Sequence, residues 1–123
     1  MPHGGPSTPA DRLDAAFAGV VADTMQALAT ASRVRILGQL YAGPRAVSDL
    51  AAAVEMEPSA VSQQLRLLRH LGLVVGKRDG RRVVYELHDE HVGQMLEQAI
   101  SHVEHLRIAA HPAHAETDDA VVA

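Results

Sequence analysis

The sequence predicts a mainly α-helical fold carrying a single β-hairpin, and three observations predict it. Leu13, Phe17, Val20, Val21, Thr24, Met25 and Leu28 recur at helical spacing, and comparable series follow through most of the chain. Leu73 to Arg78 and Arg82 to Leu87 break that pattern, being β-branched runs around Asp79-Gly80, which signals a hairpin. Aromatic side chains are scarce, Phe17, Tyr41 and Tyr85 being the only ones, so the core has to be aliphatic and alanine-rich, a composition that favours helix. A chain of 123 residues is long enough for one domain with a modest core and too short for two.

The elements follow in the order α-α-α-α-β-β-α. Residues 1–8 read as a disordered Gly/Pro-rich arm that holds His3. Thr8-Pro9-Ala10-Asp11 has the order cap, proline, acid, and opens a first helix that runs to about Ala29. Thr30 caps the second, which carries Arg33 and Arg35 in its first turns and stops at Gly43-Pro44. Val47 to Val54 forms a short third helix. After a break at Glu55-Met56-Glu57, Pro58 opens a fourth, which presents Val61, Leu65, Leu68 and Leu71 to the core and ends at Gly72. Two short helices joined by such a turn make a helix-turn-helix, and the hairpin that follows makes it winged. The last helix starts at Asp89. Residues 9–107 thus read as a dimerising winged helix-turn-helix domain and 108–123 as a flexible, acidic, histidine-containing tail.

Composition excludes several functions. Without cysteine there is no disulfide framework, thiolate metal site or cysteine nucleophile. The start M-P-H-G-G-P lacks the features of a secretion signal, and no run of about 18 apolar residues offers a membrane span, so a cytoplasmic protein with no membrane partner is expected. The net charge of −4 hides a division: from Ser59 to Tyr85, Arg66, Arg69, Lys77, Arg78, Arg81 and Arg82 face Asp79 alone, while acids collect in the last helix and tail.

The basic region carries a DNA-reading pattern. Ser59, Ser62, Gln63 and Gln64 lie near the start of the second helix of the pair, the part that enters a major groove. Glutamine can pair with adenine, and Arg66 or Arg69 can hold phosphate or guanine. Lys77, Arg78, Arg81 and Arg82 would grip the backbone from the wing, with Arg33 as a further candidate, so the expected partner is double-stranded operator DNA.

The last helix carries a second pattern. On a helical wheel Val92, Met95, Leu96, Ala99, Val103 and Leu106 form an apolar stripe, with His91, His102 and His105 grouped within about 60° beside it. His91 lies roughly 16 Å from His102 at the helical rise. A single ion with donors at about 2 Å cannot span that gap. Two copies packed antiparallel about a two-fold axis close it, bringing Asp89 and His91 of one chain to His102 and His105 of the other and giving a homodimer with two equivalent sites. Taken singly, Asp89 is a helix cap and each histidine a solvated surface residue.

The segments L-A-T-A-S-R-V-R-I-L-G-Q-L, V-S-D-L-A-A-A-V, S-A-V-S-Q-Q-L-R-L-L-R-H-L-G-L-V and V-V-Y-E-L resemble the ArsR/SmtB family of metal-responsive winged-helix repressors over about Ala22 to Leu106. The chain is most similar to that family's nickel/cobalt-sensing branch, and D-E-H followed by H-V-E-H on the last helix matches a site that this branch shares with the zinc sensors. The resemblance implies Asp89, His91, His102 and His105 as metal ligands and a dimer that leaves its operator when metal binds. Two positions depart from the family pattern: Glu55 where glycine is common in the turn, and Gln63 where histidine is frequent.

One Asp and three His suffice for tetrahedral zinc, whereas nickel and cobalt favour six nitrogen and oxygen donors, which His3, His111 or His114 could complete. The resemblance implies that role for a histidine in the third position, and loss of Met1 would set the Pro2 amine beside His3. Ni2+ or Co2+ is favoured, with Zn2+ as the alternative. A winged-helix repressor without metal response is a further reading, as is a metal-storage protein, for which the basic wing would have no purpose. A metallohydrolase is disfavoured, because His102-Val103-Glu104-His105 is not the H-E-x-x-H pattern, so no enzyme is expected.

Overall fold

The computed structural model describes residues 7–110. Its elements are α1 (Pro9–Arg12), α2 (Ala15–Ala27), α3 (Ala31–Ala42), β1 (Arg45–Ala46), α4 (Val47–Val54), α5 (Pro58–His70), β2 (Val74–Asp79), β3 (Arg82–Leu87) and α6 (Glu90–Ala110). His3, His111 and His114 lie outside the described residues.

The observed order departs from the expected one at three points. The first helix is two: Thr8 and Asp11 close a capping box on the single turn of α1, and Asp14 then caps α2 by accepting from the Phe17 N–H at 2.8 Å. A short acidic side chain inside a helical pattern offers the backbone this alternative partner, and here the cap prevails. A third strand, β1, pairs antiparallel with β3 through Arg45↔Tyr85 and Ala46↔Val84, so the sheet order is β1-β3-β2. The last helix runs through Ala110, three residues past the boundary at 107, because Ile108, Ala109 and Ala110 do nothing to stop it.

Helix ends explain how the helix-turn-helix is shaped. At the end of α5, the Gly72 N–H donates to Arg69 O at 3.0 Å and the Leu73 N–H to Leu68 O at 2.9 Å, the Schellman pattern, with Gly72 left-handed at φ 76°. The end of α4 repeats it with a different residue. Glu55 stands in the left-handed position at φ 57° and ψ 48°, its N–H donating to Ala52 O and that of Met56 to Ala51 O. The hairpin register pairs Asp79 with Arg82, so the turn residues are Gly80 and Arg81 rather than Asp79 and Gly80. Only Gly80 needs positive φ, the pattern of a turn with glycine first.

The core is aliphatic, as its composition requires. Ile36, Leu37, Leu50, Val54, Val61, Leu65, Leu68 and Val74 are all but fully buried, and no charged or polar residue joins them among the described residues. Truncating one such leucine to alanine costs about 2–5 kcal/mol. Two residues seat α6 on this body. Val92 is buried in the core, and Gly93 lets the Tyr41 ring of α3 lie against the helix, since a Cβ there would meet two ring carbons at 3.0 Å.

By contrast, α2 is almost bare. Ala27 is its only buried residue, and Phe17, Val20 and Met25 are 49%, 59% and 67% exposed. On α6, Met95, Ile100, Val103 and Leu106 are also exposed. Between Leu28 of the α2–α3 junction, Val34 and Leu37 of α3 and the apolar stripe of α6 runs an open groove of ≈ 450 Å³. Large apolar side chains left exposed along α2 and α6 are the kind of surface by which a protein meets a partner.

Candidate nucleic-acid and metal sites

The amphipathic pattern of α5 decides which side chains are left for a ligand. With Val61, Leu65 and Leu68 turned into the core, Ser59, Gln63, Arg66 and Arg69 are exposed and Ser62 is half-buried. Pro58 starts the helix with its φ already set. Gln64 differs from its neighbours: its Oε1 accepts from Arg33 Nε at 2.8 Å in a partly buried bond, and Arg33 Nη1 also donates to the Ala27 carbonyl at 3.3 Å. The sequence pattern places both residues among those facing DNA. In the fold each is occupied by the other.

The wing presents its cations at the tip. Arg78, Arg81 and Arg82 are exposed around the Gly80-Arg81 turn. Lys77 is partly spent within the sheet, since its Nζ forms an ion pair with the Glu86 carboxylate of β3. Exposed pairs of this kind contribute little to stability, but they reduce the local positive field.

The metal-ligand candidates occupy the two ends of α6. Asp89 sits before its first turn and caps it: Oδ1 accepts from the His91 N–H at 3.0 Å and the Val92 N–H at 3.3 Å. Oδ2 lies 3.2 Å from His88 Nδ1, and His91 Nδ1 is 3.6 Å from Oδ1. The His88 hydrogen bond is the main cause holding the Asp89 carboxyl below its usual range; partial desolvation opposes it, and the Val92 and His91 contacts add to it. Capping does not use up this carboxylate, which has lone pairs to spare for a cation. His88 joins the cluster without any signal in the helical pattern. It falls in the strand-to-helix turn, off the helical wheel, and only its place next to Asp89 hinted at the contact.

His102 and His105 are exposed on the other half of α6. The helix is unbroken from Glu90 to Ala110, so the separation from His91 computed on an ideal helix holds. Among the described residues no three His, Cys, Asp or Glu side chains converge on a point where a metal could sit. Carboxylate and neutral imidazole are suitable donors for zinc, nickel and cobalt, so the residue types fit such an ion while a single chain does not assemble them. Asp89 also borders a cleft of ≈ 620 Å³ that Glu86, Glu90 and Glu97 make acidic. No described helix is long and apolar enough to cross a membrane.

Comparison with known proteins accords with this architecture. The family described as bacterial regulatory protein, arsR family, matches residues 30–75. The chain is 55% identical to the HTH-type transcriptional regulator NmtR of Mycobacterium tuberculosis over 116 residues, which cover 93% of this chain and 97% of that protein. It is similar to the solution structure of apo-NmtR with a TM-score of 0.66 and 57% identity, covering 85% of this chain and 86% of that one. It is also similar to the homodimeric winged helix-turn-helix DNA-binding domain Mb0332 of Mycobacterium bovis, with a TM-score of 0.66 and 30% identity over 96% of this chain and 100% of that one. Because the family match falls on α3 through α5 and the likeness to NmtR extends over nearly the whole sequence, the chain belongs to the arsR family of bacterial regulatory proteins and is a winged helix-turn-helix transcriptional regulator.

Proposed function

We propose that this regulator is a metal-responsive repressor. It holds operator DNA as a homodimer and lets go when nickel or cobalt binds two equivalent sites between subunits. Each site would draw Asp89 and His91 from one α6 and His102 and His105 from the other, with His3, His111 or His114 as additional donors. One observation carries the reading: α2 and α6 each expose apolar side chains that no part of the described chain covers, and on α6 the histidine row borders that stripe. A second copy packed antiparallel would bury Met95, Val103 and Leu106 and unite donors that one helix keeps apart.

The homodimeric state of Mb0332 supports the pairing, and the likeness to NmtR supports the metal class. A bound divalent cation would supply a single charge centre shared by donors of both chains, joining the two α6 helices. On the DNA side, Ser59, Ser62 and Gln63 would address base edges, while Arg66, Arg69, Arg78, Arg81 and Arg82 would hold phosphates. Release follows by linkage. If the metal-joined arrangement of α6 spaces the two α5 helices poorly for the half-sites, each ligand weakens the other by the same factor.

The test is operator binding measured while Ni2+, Co2+ and Zn2+ are titrated separately into the wild type and into His102→Ala/His105→Ala. Metal-driven release in the wild type that is lost in the variant is the expected result. Release by zinc alone would replace nickel and cobalt with the alternative ion. Release that persists in the variant, or is absent from the wild type, would leave a repressor without this metal response. That second reading draws on the donors of a single chain standing apart, no three of them converging among the described residues.

A further inference from the structure

We propose that Arg33 is a positioning residue, one that ties α2 to the recognition helix so that the seating of α2 against a second copy sets where α5 lies. The proposal rests on the reading that α5 meets DNA. It departs from the expectation that Arg33 itself touches DNA.

The clasp is built from three elements. Arg33 is the third residue of α3, and its N–H donates to the capping Thr30 Oγ1 at 3.3 Å, which fixes the root of the side chain. From there Nε reaches Gln64 Oε1 of α5 at 2.8 Å and Nη1 reaches Ala27 O at 3.3 Å. Arginine has no acceptor, so Gln64 must turn its oxygen inward and its amide cannot rotate freely toward a base. The Ala27 carbonyl is among the last four of α2, which no N–H within the helix can satisfy. A planar guanidinium fills both needs in fixed directions, and a lysine ammonium could not reproduce that fork. Bonds with one charged partner in a half-buried setting are the stronger kind.

What makes the clasp consequential is how little else holds α2. Its one buried residue is Ala27, with the neighbouring Leu28 packed against the core and Val21 and Thr24 half-buried, while Phe17, Val20 and Met25 face outward. Whatever covers those side chains therefore acts on a lever whose inner end is bonded to Arg33. Among the described residues, Gln64 is the one residue of the α5 polar face with a side-chain bond to another element. The same bonds argue against a phosphate contact, since two guanidinium donors already point into the fold.

Salt dependence separates the two roles. Full-length wild type, Arg33→Ala, Arg33→Lys, Gln64→Ala and the Arg33→Ala/Gln64→Ala double variant would be titrated with operator DNA over a range of salt. A positioning role weakens binding about tenfold in each single variant, Lys included, leaves the salt slope unchanged, and makes the double variant far less than the product of the singles. A slope smaller by about 0.9 in Arg33→Ala would mark a direct phosphate contact and overturn the proposal, as would multiplicative effects. Gln64→Ala, at a half-exposed site, carries the test if Arg33→Ala does not fold. A second readout needs no DNA: exchange of the Arg33 Nε proton with water, slow in the wild type, should quicken at least about tenfold in Gln64→Ala. Unchanged exchange refutes the clasp. Failure of the wild type to bind any operator would instead sink the DNA reading, and the proton would still report on the clasp.

Discussion

The two ends of the helix-turn-helix pair close with the same backbone motif and different residues, so exchanging the residues should move stability in opposite directions. Glu55 holds φ 57° and ψ 48° at the end of α4, and Gly72 holds φ 76° at the end of α5. A side chain in the left-handed region costs about 1–2 kcal/mol, because its Cβ crowds the following carbonyl. Glycine removes that cost but is freer in the unfolded chain, which offsets about 0.4–1 kcal/mol. Nothing else is at stake for Glu55: it is exposed, it enters no ion pair among the described residues, and the two bonds of its motif are backbone bonds.

Glu55→Gly should therefore raise the free energy of unfolding by about 0.5–1 kcal/mol, a rise in melting midpoint of about 2–8 °C for a domain of this size. Gly72→Ala should lower it by a similar amount, and the loss is purely conformational, since no atom lies within 4 Å of the added Cβ. Urea unfolding decides the matter, run at one protomer concentration because association adds to apparent stability. Glu55→Gly at or below wild-type stability, or Gly72→Ala without effect, would refute the reasoning.

Three further predictions bear on the sites. Chains with Asp89→Ala/His91→Ala and chains with His102→Ala/His105→Ala should each fail to bind nickel on α6; after subunit exchange the mixture should regain about one quarter of wild-type capacity, because about half the dimers are mixed and each holds one whole site. Calorimetry showing no regain would eliminate the antiparallel pairing. On the wing, alanine at Arg78, Arg81 or Arg82 should each reduce the salt slope of operator binding by about 0.9, and alanine at Lys77 by clearly less, since Glu86 already pairs with it; an equal reduction would place Lys77 on the DNA. In acid, the α1 turn should fray. The Thr8 N–H, then its hydroxyl, hold the Asp11 carboxyl below its ordinary value, so the contribution is complete above the unfolded pKa and disappears as pH falls through the lower folded one. Hydrogen exchange at the Asp11 and Leu13 amides should speed up over that window, and Asp11→Ala should be frayed throughout; a wild type with no such window would contradict the capping box.

Much of the fold was legible because it depends on periodic burial and on local chemistry at element ends. The spacing of Val61, Leu65 and Leu68, the cap at Thr30 and the stop at Gly72 each express an interaction within a few residues, and each appears where expected. The split at Asp14 was missed because two local rules conflict there: helical spacing continues through Leu13 and Phe17, while the Asp14 side chain captures the Phe17 N–H. The β1 strand was missed because two residues have no period, and their partners Tyr85 and Val84 lie some forty positions on. The turn at Gly80-Arg81 was shifted by one residue, because the pairing of Asp79 with Arg82 is a property of the ladder.

The same division runs through the site residues. By itself the sequence determined the helical and hairpin segments, the aliphatic core, the basic wing and the histidine edge of the last helix, since these follow from which residue types recur at which spacing. Only the tertiary structure decided that Arg33 and Gln64 satisfy each other, that Lys77 is paired with Glu86, and that His88 leans on Asp89. The physical reason is that a polar side chain's partner is chosen by proximity in space. Arg33 and Gln64 are thirty-one residues apart along the chain, and a hydrogen bond formed at 2.8 Å leaves no trace in the spacing of either helix.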